Sequence, residues 1–272
     1  MIRLLHDGPQ TGARNMAVDE ALMESAGEGS ITLRFYEWKP GALSFGRNQT
    51  AAGKYDADMA ADRGIDIVRR PTGGRAVFHH RELTYSLTAP ADLWGSLHEA
   101  YCRINEALAF GLQALGVPVS CAGDGVPVTA PEAPASPTPR PVARACFRDP
   151  LPGEVTVQGR KLVGSAQWRD GGALLQHGSI LLVNEQRVTE ELRIGADGQG
   201  AVKPGDAQTG AIGLADLLVE VPPIAELVEA FVAGFESEFG TEVSAGTLSS
   251  AETQAVDQLT PNYTDSTWTW RR

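Results

Sequence analysis

The 272-residue sequence predicts a single α/β domain. Three observations predict it. Amphipathic helical stretches alternate with strand-like runs along most of the chain, and the 42% hydrophobic content is ample for one continuous core. Nothing after about residue 240 is long enough to build a further sizeable domain with its own core.

In chain order, "IRLLH" reads as a short first strand and "TGARNMAVDEALMESAG" as a helix with Met16, Leu22 and Met23 near one face, ending at Gly27. "ITLRFYEW" alternates as a strand. "KYDADMAADRG" is a short helix closed by Gly64, and "IDIVRR" is a buried strand that delivers Arg69 and Arg70 to a turn. In "GSLHEAYCRINEALAFGLQALG", Leu97, Tyr101, Ile104, Leu108, Leu112 and Leu115 fall at steps of three or four and form one apolar stripe. Cys102 lies one step off that stripe, as a small structural residue would. Residues 127–141 hold six prolines, which neither helix nor central strand accepts, so a flexible loop is expected near 122–142. "GEVTVQGRKLVGSAQWRDGGALLQHGSILL" alternates strands with glycine turns as a β-meander. A second flexible loop is expected near 195–210, and "PPIAELVEAFVAGFESEFG" is an amphipathic helix entered through prolines.

Composition narrows the function. A net charge of -11 argues against broad nucleic-acid binding, which needs a basic face. The positive charge is segregated: residues 34–81 hold nine Lys/Arg against five Asp/Glu, and residues 140–187 hold seven against four. A locally basic surface on an acidic protein suits a small anionic ligand or an acidic partner protein. No apolar run reaches the roughly 18 residues that span a bilayer, and the first twenty residues lack the order of a secretory signal, so a cytoplasmic protein without membrane attachment is expected. Cys102, Cys121 and Cys146 are widely spaced and form neither a disulfide framework nor a zinc motif.

The most informative block is "RRPTGGRAVFHHRELTYSL", residues 69–87. Two arginines, a proline turn, two adjacent glycines and Arg75 bring guanidinium groups and backbone amides together where the chain can approach a ligand closely. Read from physics alone, a hairpin turn with surface arginines fits equally well. His79 and His80 are neighbours on a strand, face opposite sides and cannot chelate one metal together, so no metal site is expected.

This block resembles the signature of the biotin/lipoate protein ligase and lipoyltransferase superfamily. "NMAVDEAL" (15–22), "LSFGRNQ" (43–49), "GRKLVGSAQ" (159–167) and "LLQHGSILL" (174–182) are similar to that superfamily's other motifs in the same order. The resemblance implies one catalytic domain over residues 1–272, an α/β fold with a mixed sheet flanked by helices. Arg75 in place of a third glycine, "ACFRDP" before the meander and the ending "DSTWTWRR" resemble the cysteine-dependent octanoyltransferase branch. That branch moves octanoyl from acyl carrier protein to a lysine of a lipoyl-domain protein or the glycine-cleavage H protein.

The resemblance implies that Cys146 is the acyl-accepting nucleophile and Lys161 the lysine that supports it. Taken alone, Cys146 reads as an inert buried thiol and Lys161 as a solvated turn residue. Arg70, Gly73, Gly74 and Arg75 are expected to shape the acyl-thioester site. His79 and His177 are expected at its walls, and Gly164, Ser165 and Ala166 are small enough to leave room for an acyl chain. A thioester on Cys146 would let one site serve two large proteins in turn, with no metal, nucleotide or redox cofactor. An ATP-dependent lipoate ligase, a transferase between two lipoyl domains and a non-catalytic binder of acyl groups or lipoyl domains are the competing readings.

Overall fold

The computed structural model describes residues 1–121, 153–195 and 210–272. The loops expected near 122–142 and 195–210 lie outside the described residues, apart from positions 195 and 210 themselves, and so does Cys146.

In chain order the elements are β1 (Ile2–Gln10), α1 (Gly12–Ala26), β2 (Thr32–Trp38), β3 (Ala42–Phe45), α2 (Ala57–Asp62), β4 (Asp66–Arg69), β5 (Val77–His79), β6 (Glu82–Pro90), α3 (Leu97–Ala114) and β7 (Ser120–Cys121). They continue with β8 (Val155–Val157), β9 (Arg160–Lys161), β10 (Val163–Asp170), β11 (Ala173–Leu181), α4 (Arg187–Glu191), α5 (Ile224–Phe239), β12 (Val243–Ala245), α6 (Ser250–Thr264) and α7 (Ser266–Thr269). Six strands form the main sheet in the order β10-β11-β6-β2-β1-β12. It is mixed: β10, β11, β6 and β2 pair antiparallel in succession, while β1 runs parallel to both β2 and β12. Two small sheets, β4-β3-β5 and β7-β8-β9, complete the described strands.

Both faces of the main sheet are covered, which is why β2 and β6 are buried along nearly their whole length rather than on alternate residues. On one face, Leu33, Phe35 and Leu87 pack under Ile104 and Leu108 of α3 and Phe231 of α5. On the other, Met16 and Leu22 of α1 pack with Tyr36, Trp38 and, from α6, Val256. Local chemistry sets the helix ends. Thr11 caps α1 by accepting the Arg14 N–H, Ser96 and Glu99 form a reciprocal capping box on α3, and α5 stops at Gly240 in the left-handed conformation.

Several elements differ from the sequence expectation. Leu97 is the first residue of α3 and is 44% exposed. Tyr101 and Leu115 are half-buried, and the packed face is completed by small residues, Ala100, Ala107 and Gly111. The expected meander divides: β8 and β9 belong to a small sheet, and only β10 and β11 join the main one. Residues beyond 240, to which the sequence reading assigns no element, supply the edge strand β12 and helix α6, which packs on α1.

Candidate active site

Strand periodicity separates the paired arginines of "RRPTGG". Arg69 turns to the C-terminal segment, where its Nε donates to the Thr269 carbonyl and its Nη1 to the carbonyls of Gly46 (2.6 Å) and Gln49 (2.8 Å). Burial, with Arg271, Arg272 and Arg70 nearby, pushes its pKa down to about 10. Arg70 turns the other way and folds the glycine loop onto itself: its Nη2 donates to the carbonyls of Gly73 (2.9 Å) and Arg75 (2.7 Å), and its Nη1 to Ser44 Oγ (2.9 Å). Gly74 has φ +96, and Gly46 lies so close that a Cβ there would stand 2.1 Å from the Gly74 carbonyl oxygen. Arg47 N–H donates to the Thr72 carbonyl and ties the two loops together.

Beside this loop is a narrow cleft of about 30 Å³. Gly164, Ser165 and Ala166 of β10, all half-buried, form its open side; Arg70, His79 and His177 line its interior. Six of the residues expected at the site are thus brought together. Gly73, Gly74 and Arg75 shape the adjoining loop.

Two buried hydrogen-bond chains fix the histidines. His177 Nδ1 donates to Asp19 Oδ2 (2.9 Å), and with that nitrogen protonated its Nε2 accepts the Thr72 hydroxyl (2.7 Å). Asp19 also receives Arg34 Nη1 (2.8 Å), Tyr36 OH (2.9 Å) and Ser86 Oγ (2.8 Å). Burial pushes the His177 pKa below its ordinary value, outweighing the opposing pull of Asp19. Burial alone would raise Asp19, but the His177 hydrogen bond and the Arg34 charge outweigh it and hold the carboxyl below its ordinary range. In the second chain, His79 Nδ1 donates to Glu82 Oε1 (2.7 Å), and its Nε2 accepts the hydroxyl of Ser44, the same hydroxyl that receives Arg70.

Lys161 is not the solvated residue its place beside a turn suggests. Gln158 and Gly159, with φ of 51 and 72, make the two-residue turn between β8 and β9, and the lysine side chain is 2% exposed. Its Nζ donates to Glu154 Oε1, which also receives Tyr101 OH. From the next turn of α3, Asn105 Nδ2 holds the Gly153 carbonyl (2.8 Å) and Asn105 Oδ1 accepts Ser165 Oγ (3.3 Å). Lys161 is therefore joined to the cleft through α3, although it does not line it. Cys146, its expected partner, lies outside the described residues.

Sequence reasoning missed Asp19, Asn15, Arg34, Thr72, Trp38, Glu82 and Glu154. The signal for Asn15 and Asp19 was present: two polar residues four apart on a helix that also buries Met16 and Leu22 must meet buried partners.

A mixed sheet covered on both faces, with a cleft at an Arg-Arg, glycine-pair loop, defines the class of catalytic domain found in lipoate-protein ligases. A solved lipoate-protein ligase A bound with ATP superposes with a TM-score of 0.76 at 22% identity over 98% of each chain. Protein Ta0514 of T. acidophilum, a putative lipoate protein ligase with bound lipoic acid, superposes at 0.74 and 22%, again over 98% of each chain. The family model of the lipoyl protein ligase A/B catalytic domain matches residues 11–236, and the chain belongs to that family. Octanoyltransferase LipM of Kyrpidia tusciae is 40% identical over 99% of this chain and 98% of its own. Octanoyltransferase LipM of Symbiobacterium thermophilum is 37% identical over 99% and 98%, and that of Staphylococcus aureus 34% over 98% of each.

Proposed function

We propose that this protein is an octanoyltransferase of lipoate biosynthesis, working in the cytoplasm as one catalytic domain. It takes octanoyl from octanoyl-acyl carrier protein and delivers it to a lysine of a lipoyl-accepting protein, the glycine-cleavage H protein being the favoured acceptor. The observation that carries this reading is 40% identity, over nearly the whole of both chains, to a protein named octanoyltransferase.

In the first half-reaction the Cys146 thiolate attacks the thioester carbonyl, the bond to the carrier's sulfur breaks, and the carrier leaves as a thiol after taking up a proton. In the second, the acceptor lysine's neutral amine attacks the Cys146 thioester. An amide forms, the carbon–sulfur bond breaks, and the proton lost by nitrogen returns the cysteine to its thiol. The donor is already a thioester, so neither step consumes ATP. Lys161 supplies a buried cation for the thiolate and the tetrahedral oxyanion, and the Arg70-braced loop presents backbone amides to the acyl carbonyl.

Intact-protein mass spectrometry after mixing with octanoyl-acyl carrier protein, without nucleotide, tests the reading. A gain of one octanoyl group is expected. No gain, with octanoate instead joined to the acceptor only when ATP and magnesium are added, would make the protein a ligase; no acylation under either condition would make it a binder.

A further inference from the structure

A cluster of arginines borders the open side of the cleft. Arg47 lies over the ring of Trp168 on β10, 4.6 Å from its centroid, and its N–H is bonded to the Thr72 carbonyl of the glycine loop. Trp168 is two residues beyond Ala166, on the same side of the strand and about 7 Å along it, so Arg47 stands at the edge of the cleft. Arg271 reaches it from the C-terminal segment: its Nη2 donates to the Arg47 carbonyl (2.6 Å), and its guanidinium lies 3.9 Å from the centroid of the Trp268 ring. The Arg272 carbonyl accepts the N–H groups of Ala51 and Ala52, which anchors a third arginine beside the 46–52 loop. Arg69 is the brace beneath them, bonded to the Gly46, Gln49 and Thr269 carbonyls, while its own carbonyl accepts Trp268 Nε1 (2.9 Å).

These guanidinium groups repel one another. Among the described residues, Arg47, Arg69, Arg271 and Arg272 form no ion pair with an Asp or Glu side chain, and Nη2 of the fully buried Arg69 has no hydrogen-bond partner. Glu20, which shares a groove with Trp168, receives the Tyr263 hydroxyl (2.6 Å) rather than Arg47. Burial, with Arg47 and Arg272 nearby, lowers the pKa of Arg271, as burial and neighbouring arginines lower that of Arg69. A fold that uses backbone carbonyls and two indole rings to hold like charges together is arranged to receive an anion. Guanidinium groups fixed by stacking present the planar fork from which phosphate oxygens accept.

Of the two proteins that the reaction brings to the cleft, only the donor carries an obligatory anion on the arm of its reacting group. The thioester of an acyl carrier protein ends a phosphopantetheine arm, which joins the protein through a phosphodiester; the acceptor offers a neutral amine. We propose that Arg47, Arg271 and Arg272 bind the phosphodiester of that arm while its thioester lies at the cleft. The inference rests on the octanoyl-transfer reading, since it takes a carrier-borne thioester as the substrate. Held at both ends, the arm presents its thioester in one orientation to the attacking nucleophile.

The test compares octanoyl-pantetheine with octanoyl-phosphopantetheine as donors, reading acyl-enzyme formation by intact mass. Wild type should favour the phosphorylated donor about tenfold in kcat/KM, the worth of one charge-assisted hydrogen bond, and added salt should narrow the difference. Arg47→Ser and Arg271→Ser should each bring the ratio toward one. Arg271→Lys keeps the charge without the fork and should retain part of it. Arg103→Ser removes the same charge from α3, on the opposite face of the main sheet, and should leave the ratio as in wild type. A wild-type ratio near one, or an equal fall in Arg103→Ser, would overturn the site. So would poorer use of octanoyl-acyl carrier protein by Arg271→Ser with the small-donor ratio intact, because the contact would then be to acidic side chains of the carrier. Calorimetry reads the cluster without transfer: phosphopantetheine should bind wild type more tightly than pantetheine does, and Arg271→Ser should remove the difference. Tighter, Arg271-dependent binding of ATP would assign the cluster to a nucleotide instead. A wild type that shows the phosphate-dependent binding but forms no acyl-enzyme would sink the transfer reading and leave the phosphate site standing.

Discussion

Lys161 Nζ and Glu154 Oε1 are 2.5 Å apart, and both side chains are 2% exposed. Removing one member takes a close charge partner from the other inside the fold. Glu154→Gln or Lys161→Met alone should therefore cost about 3–5 kcal/mol in urea unfolding, whereas the double variant should recover much of that loss. Activity should behave differently. If the lysine serves the thiolate, the double variant regains stability but not acyl-enzyme formation. Recovery of both together would make the pair purely structural.

Cys146→Ala should abolish octanoyl transfer, while Cys102→Ala and Cys121→Ala should retain it. Cys102 is half-buried with its sulfur 3.7 Å from His98 Nε2, and Cys121 is half-buried on a two-residue strand. Neither lines the cleft. Substantial transfer by the Cys146→Ala protein would end the acyl-enzyme mechanism. A complementary measurement is alkylation of Cys146 against pH: Lys161→Ala should move the profile upward, and Lys161→Arg should restore the profile better than it restores transfer, because the planar guanidinium keeps the charge but not the shape.

Much of this site could be read from the residues because its chemistry is local. The helices, the main strands and the glycine loop announce themselves by periodicity and turn residues. The pairings between distant segments do not. Asp19 and His177 are 158 residues apart in the chain, and nothing in "NMAVDEAL" names the ring it will hold. Lys161 reads as solvated because a charged residue beside a glycine turn normally is, whereas pairing with β8, the backbone bonds to Gly210 and Ile212 and the Glu154 carboxylate help to bury it. Strand β12 is three residues of modest apolarity, and its pairing with β1, not its own pattern, makes it a strand.

The Asp19–His177 pair predicts two acid windows in stability. Burial lowers the His177 pKa in the folded state, so the unfolded chain takes up that proton first. The ring's contribution is complete above about pH 6.5 and is lost as pH falls below it toward the folded value. Asp19 is held below its ordinary range, so its contribution is complete above about pH 3.9 and is lost as pH falls through its lower folded value. Urea unfolding at pH 7.5 and 5.5 should show His177→Gln losing less stability on acidification than wild type. Equal losses would mean that the ring is not held neutral in the fold.

Arg3 and Glu252 bind the two ends of the described chain. The guanidinium meets the carboxylate through both nitrogens, Nη1 to Oε2 at 2.9 Å and Nη2 to Oε1 at 2.5 Å, and Glu252 also caps its own helix by accepting the Ser249 N–H. Burial would raise the Glu252 pKa, but the Arg3 and Ser249 hydrogen bonds outweigh it and bring the carboxyl down to about 2. The sign is that of a depressed acid: stability is complete above the ordinary value of 4.5 and is lost as pH falls toward 2. Glu252→Gln keeps the shape but loses the charge, and should cost about 1.5–3 kcal/mol, the range for hydrogen bonds to charged groups. Because α6 packs on α1 and β12 extends the main sheet, we propose that the whole chain unfolds as one unit. The variant should then lower a single transition seen alike by tryptophan fluorescence and far-ultraviolet circular dichroism. If instead it released only the segment after residue 240, while the remaining transition kept its wild-type midpoint, that segment would be a separate unit and the single-domain reading would fail.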